Sequence, residues 1–324
     1  MKALYGLLLF ALAASAENVS TFSIVAYDQT AGEWGVAVAS RYFAVGSVVP
    51  WAEANVGAVA TQADVNVGYG PRGLQLLEQG LTARQTLTEL LAEDHYQDKE
   101  GRQVAIVDSK GNFAVYTGPN APKWAGDRQG KSWSVQGNTL AGPQVIEAMG
   151  NAFQSTQGEL AEKLYAALKA GEDAGGDSRG KQSASMLVVR RGGGRNIAND
   201  RYVDINVDDN PDPLQELRRL LDINLGLVYE AKLEKLLGAG QLPQARDMAE
   251  TVARYRASDP AAHITLGLLD YVSGQNQAAV DQLRAAKSLD SKNFRDRLGE
   301  ISKQPVFQAA AGDQAFMKAV FARN

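Results

Sequence analysis

A chain with no cysteine and only two histidines, His95 and His263, must draw any chemistry from hydroxyls, carboxylates, amides, lysine or arginine. Thiol nucleophiles, disulfides and Cys-based zinc sites are excluded, and His-rich metal centres nearly so. Thr21 is the nucleophile candidate. It follows the short stretch Glu17-Asn18-Val19-Ser20 and opens the β-like run Phe22-Ser23-Ile24-Val25-Ala26-Tyr27. A threonine hydroxyl alone attacks poorly. At a chain terminus, however, its own α-amino group, with a reference pKa of about 7.7–8.0, can take the hydroxyl proton without any histidine. The same residue reads equally well as a β-branched strand starter, because a cut after Ala16 leaves four residues in front of it.

Other polar residues carry paired readings. Gln62, Asn66, Asn138 and Gln182 either orient a ligand carbonyl or satisfy buried loops. Arg41 and Asp177 either serve a site, form a structural ion pair, or bury separately with backbone partners. Gly68-Tyr69-Gly70-Pro71-Arg72-Gly73 opens a helix but lacks the Lys-Ser/Thr of a phosphate-binding loop. Asp204, Asp208, Asp209 and Asp212 offer oxygen ligands at a spacing foreign to an EF-hand, and Asp-Asp-Asn-Pro-Asp-Pro reads first as a turn and helix N-cap. No metal and no cofactor is expected.

The elements that must position these residues follow from periodicity. Phe22–Tyr27 and Gly35–Ser40 flank a polar, Gly-containing turn, and Gln103–Val107 and Asn112–Tyr116 flank another; both are hairpin signals. Val56–Thr61, Trp133–Gln136, Met186–Arg190 and Tyr202–Val207 are further strand candidates. Leu74, Leu77, Leu81 and then Leu87, Leu90, Leu91 mark two helices; Leu160, Leu164 and Leu168 mark a third, with Gly171 expected as its C-cap. Hairpins alternating with helices indicate sheets covered by helices.

Composition changes near residue 212. Residues 17–212 carry 17 basic and 24 acidic residues, whereas 213–324 carry 15 and 13 and are rich in Leu and Ala. Gly240 and Gly274 lie 34 residues apart, as do Ala245 and Ala279, which is the tetratricopeptide period; Leu266-Gly267 and Ala286 fit it, and Asp270 departs from it. Such a repeat would grip a protein or peptide partner. The net charge of −4 argues against nucleic acid. Residues 1–16, MKALYGLLLFALAASA, place a lysine before an apolar run and end in Ala14-Ser15-Ala16, the pattern of a signal peptide too short to span a bilayer. The expectation is a periplasmic or secreted protein with no stable membrane anchor, open to forming a homo-oligomer.

Four motifs in order, TFSIVAYDQTAGEWGVAVASR (Thr21–Arg41), GAVATQ (Gly57–Gln62), QGNTLAG (Gln136–Gly142) and GGDSRGKQSA (Gly175–Ala184), resemble the family known as domain of unknown function 1028 over residues 21–225. The resemblance implies the four-layer αββα sandwich of the N-terminal-nucleophile hydrolases, an α+β fold shared with proteasome subunits. It matches Thr21 to the N-terminal threonine and Asp177 to the acid that steadies the terminal amine, and it leaves Arg41 to bind a substrate carboxylate. Ala39 replaces the acid before Ser-Arg, and no lysine occurs between Lys2 and Lys99, where that superfamily keeps one. Related chains can carry a peptidoglycan-binding module after this domain, which makes a cell-wall peptide a candidate ligand. The expected organisation is therefore a signal peptide over 1–16, a sandwich over 17–225 and an all-α tetratricopeptide-like domain over 226–324. The expected activity is that of an amidohydrolase, and the alternative is a non-catalytic binding or scaffold protein.

Overall fold

The computed structural model describes residues 18–19, 21–196 and 198–322, so the expected signal peptide and Ser20 lie outside the described residues. The chain divides into two compact units between Leu217 and Arg218. In the first unit the strands β1 (Asn18–Val19), β2 (Thr21–Asp28), β3 (Glu33–Ser40), β4 (Pro50–Glu53) and β5 (Gly57–Asp64) precede helices α1 (Tyr69–Glu78) and α2 (Ala83–Glu93). There follow β6 (Arg102–Asp108), β7 (Phe113–Thr117), β8 (Gly126–Gly130), β9 (Trp133–Asn138), helices α3 (Gln144–Ser155) and α4 (Leu160–Asp173), and strands β10 (Ser183–Val189) and β11 (Arg201–Val207).

Two antiparallel sheets result. One has five strands in the order β1-β5-β6-β7, with β4 also on β5; the other has six in the order β11-β10-β3-β2-β9-β8. Period-2 alternation divides each strand between two environments. Val25, Val36 and Val38 of the larger sheet meet Ala58, Ala60, Ala105 and Val107 of the smaller one in a core between the sheets. Val59, Val104 and Ile106 turn the other way, onto Leu76, Leu77 and Leu90 of α1 and α2. On the far side of the larger sheet α4 packs on β2 and β3, and α3 on β8 and β9.

The helix spacing read from Leu160, Leu164 and Leu168 is correct, but Gly171 does not end α4. The helix runs on to Asp173, and Gly171 lies within it, where a Cβ would come 2.7 Å from Met149 Cγ and 3.3 Å from Phe22. Its missing side chain lets α3 and β2 approach. Sequence reasoning also passed over α3 and the short strands β1, β4 and β8.

Helix α5 (Pro213–Gly238) contains the division between the units. The second unit continues through α6 (Leu242–Tyr255), α7 (Pro260–Val272), α8 (Asn276–Leu289), α9 (Phe294–Ile301), α10 (Gln308–Gly312) and α11 (Gln314–Phe321). Ala245, Ala249, Leu266, Leu269, Ala279 and Leu283 are buried in one core there. Gly240 and Gly274 adopt φ of 69° and 77° just before α6 and α8, a left-handed step that favours glycine after a helix. Asp270, which departs from the expected repeat pattern, is buried and paired through its Oδ1 with Arg246 Nε at 2.9 Å.

Candidate active site

Register places four hydroxyl and amide residues side by side at one end of the larger sheet. Thr21 is opposite Ser40 on one side and Asn138 on the other, and Ser40 is opposite Ser183. All four are buried. Alternation puts Thr21, Ser23 and Val25 on the face that looks toward the smaller sheet, so that face changes from polar at Thr21 to apolar at Val25 within four residues.

Thr21 Oγ1 donates to Ser40 Oγ at 3.1 Å, and the Thr21 carbonyl accepts from Gln62 Nε2 at 3.4 Å. Gln62 belongs to a buried network between the sheets. Its Oε1 accepts from Ser23 Oγ at 2.5 Å and its Nε2 donates to Gln103 Oε1 at 2.8 Å, while Gln136 Nε2 reaches Ser23 Oγ at 2.6 Å. Asn138 Nδ2 donates to the same Gln103 oxygen at 3.1 Å. Buried amides are costly unless bonded, so this network fixes one register between the two sheets. Asn138 Oδ1 is the exception, a buried oxygen with no partner.

Asp177 sits just outside this row, its side chain 1% exposed. Its carboxylate accepts from the Arg41 backbone N–H at 2.9 Å and forms an ion pair with Arg179 Nη2 at 2.9 Å, with the Arg179 N–H also 2.9 Å from Oδ1. The acid's salt-bridge partner is thus Arg179, and Arg41 meets it through the main chain. The exposed Arg41 guanidinium donates to the Arg179 carbonyl at 3.2 Å. Gln182 gives its backbone N–H to the Ser40 carbonyl at 3.0 Å and its side chain to Asp209 at 3.2 Å. The sequence-derived set therefore separates: Thr21, Gln62 and Asn138 share the inter-sheet network, whereas Arg41, Asp177 and Gln182 hold the loop that closes over Ser40. Asn66 lies apart, with its Nδ2 3.5 Å from Asp94.

A small cavity of about 100 Å³ is lined by Phe22, Ser40, Glu172, Gly176, Asp177 and Lys181. Lys181 Nζ pairs with Glu172 Oε1 at 2.7 Å. Sequence reasoning looked for a lysine ahead of Lys99 and passed over this one, which the turn after Asp177 brings to the cavity. Ser40 as the partner of Thr21 was legible only as part of the Ser-Arg pair closing β3. Among the described residues no group of three or more acidic or histidine side chains is arranged to hold a metal ion. Asp212 caps α5, its Oδ1 accepting from Gln215 N–H at 3.4 Å. His263 is held between Gln282 Oε1 at 2.8 Å and the Ala257 carbonyl at 2.9 Å.

The first unit is thus an α+β domain of two antiparallel sheets with a buried hydroxyl and amide row at one end. It belongs to the family described as "Family of unknown function (DUF1028)", which matches residues 21–217. The crystal structure of protein SPO2555 from Silicibacter pomeroyi, itself described under that family, is similar, with 31% identity, a TM-score of 0.56 and an alignment covering 62% of this chain and 84% of that one. Among curated proteins none matches.

Proposed function

We propose that the first unit is a latent amidohydrolase of the N-terminal-nucleophile type, built as a four-layer αββα sandwich and completed when the Ser20–Thr21 bond is cut. The observation that carries this reading is the place of Thr21. It is the first described residue of a central strand, and its hydroxyl is buried on Ser40. The succession of a helix pair, two facing sheets and a second helix pair supports the sandwich. In the cut form the Thr21 α-amine takes the proton from Oγ and Oγ attacks an amide carbonyl while backbone N–H groups hold the oxyanion; the C–N bond then breaks as the α-ammonium gives its proton to the departing amine, and water hydrolyses the resulting ester to release the acyl group as a carboxylic acid and restore the Thr21 hydroxyl. Asp177 acts in the site through the Arg41 N–H, which sets Ser40 against Thr21. Gln62 and Asn138 orient polar groups from the inter-sheet side, while Arg41 and Gln182 face substrate entering past the loop. On the same reading the protein is exported after loss of residues 1–16, and the second unit is a tetratricopeptide-like surface for a protein or peptide partner.

One observation favours the scaffold alternative: both Asp177 oxygens are already engaged by Arg41 and Arg179, as a purely structural carboxylate would be. Intact-mass analysis of native protein separates the two. The enzyme reading expects a terminus at Thr21, acylation there by a β-lactone electrophile, and retention of the upstream residues in Thr21→Ala. A mature chain that keeps Glu17 and resists acylation establishes the scaffold.

A further inference from the structure

The larger sheet carries a second polar surface, three strands away from Thr21. Ser185 of β10 is opposite Asn206 of β11, and Leu187 is opposite Asp204. Leu187 belongs to the core between the sheets, so period-2 alternation assigns Asp204 and Asn206 to that same inner face. Both are nevertheless exposed, because the facing edge strand, β4, is only four residues long. What a closed sandwich would fill with apolar side chains is here a cleft of about 340 Å³, lined by Trp51, Leu74, Ser185, Arg201, Asp204 and Asn206 among others.

The walls of this cleft are fixed by two glycines. A Cβ at Gly46 would fall 1.9 Å from Asn206 Oδ1, and a Cβ at Gly70 would fall 2.2 Å from Trp51 Cγ and Cδ2. Backbone therefore lies directly against the amide and against the indole, and any larger residue would displace them. Trp51 is further held by its indole N–H, which donates to the Val48 carbonyl at 3.1 Å. The polar groups come as a mixed set. Arg201 is paired with Asp204, so the two charges cancel locally, and Asn206 Nδ2 makes only a long 3.5 Å contact with Asp204.

We propose that this cleft is a ligand site for a neutral sugar ring, distinct from the Thr21 row. A pyranose offers an apolar C–H face, which suits an immobilised indole, and vicinal hydroxyls that each need a donor and an acceptor. The exposed amide of Asn206, guanidinium of Arg201 and carboxylate of Asp204 together supply both, and cancelled charge favours a neutral ligand over an ion. The site owes nothing to Thr21 and stands whether or not the first unit is an enzyme.

The test is NMR titration of the ¹⁵N-labelled full chain with cellobiose and, separately, with N,N′-diacetylchitobiose, following the Trp51 indole signal. A saturable shift of Trp51, with the Trp34 and Trp133 indoles unmoved, is expected for at least one disaccharide. Asn206→Ala should weaken it about fivefold, the loss of one neutral hydrogen bond. The exposed Arg201→Ala gives a second variant whose fold is not at stake and should weaken it by at least as much. Absence of a saturable shift with both sugars, or wild-type affinity in both variants, overturns the proposal. Stronger binding of glutamate or lysine than of either sugar overturns it as well.

Discussion

Replacing Asp94 with alanine should destabilise the first unit by about 3–5 kcal/mol, the usual cost of removing one partner from a buried ion pair. The Asp94 and Arg102 side chains are 4% and 5% exposed and meet at 2.9 Å. The same carboxylate accepts from Tyr69 OH at 2.6 Å and from the Tyr96 N–H at 3.0 Å. Truncation therefore takes the carboxylate from a buried guanidinium and a phenol together, leaving the guanidinium its bond to the Asp64 carbonyl. Burial alone would push the Asp94 carboxyl up, but the hydrogen bonds from Arg102, Tyr69 and Tyr96 outweigh it and hold the pKa at about 2, below its ordinary 3.8. A pKa lower in the folded than in the unfolded chain adds stability that is fully present above the unfolded value and fades as pH falls toward the folded one. By pH 3 that loss should be about 1 kcal/mol in the wild type and absent in Asp94→Asn. Urea unfolding followed by tryptophan fluorescence reports on this unit, since Trp34, Trp51, Trp124 and Trp133 all lie in it. A loss under 1 kcal/mol for Asp94→Ala at pH 7, or the same acid sensitivity in Asp94→Asn as in the wild type, refutes the reasoning.

Asp108→Ala should cost about 2–3 kcal/mol in the same assay, because its carboxylate accepts the Ala83 N–H at the start of α2 at 3.2 Å and the Lys110 and Asn112 N–H groups of the β6–β7 turn at 2.9 and 3.0 Å. These bonds act against the upward push of burial and hold its carboxyl below the ordinary range, so this contribution also fades with acid. In the second unit, Asp270→Ala should lower the helical melting transition, followed by circular dichroism, by an amount nearer 1 than 4 kcal/mol. Arg246 keeps Glu250 at 2.8 Å, so it is not left alone. A loss as large as that of Asp94→Ala would show that Glu250 does not hold the guanidinium.

How far the sequence revealed this arrangement depends on the range of each interaction. The β2–β3 hairpin was legible because alternation and a Gly-containing turn are local, and the stacked Tyr27 and Trp34 rings, 4.8 Å apart, close it where expected. The 34-residue period placed Gly240 and Gly274 at helix ends for the same reason. Gln103 and Gln136 escaped notice because nothing within either strand distinguishes a buried amide from a surface one; their partners arrive from strands up to 113 residues away. β4 and β8 escaped because short edge strands lack the apolar alternation of central ones. Lys181 follows a turn that sequence spacing gives no reason to fold toward Ser40.

The segment before Thr21 bears most directly on how the site would come alive. Asn18 and Val19 pair with Asp64 and Ala63 on the smaller sheet, whereas Thr21 begins a strand of the larger one. Among the described residues β1 is paired at two register positions, while β2 is paired with β3 on one side and with β9 on the other. A cut before Thr21 would leave β2 and its hydroxyl in place. The receiving end of β5 is itself braced by the Asp94 cluster, since Arg102 also donates to the Asp64 carbonyl. Asp94→Ala should then loosen β1 as well, seen as faster amide exchange at Val19 than at Phe22. Unchanged exchange at Val19 in a folded variant would show that β1 is secured by something other than this edge.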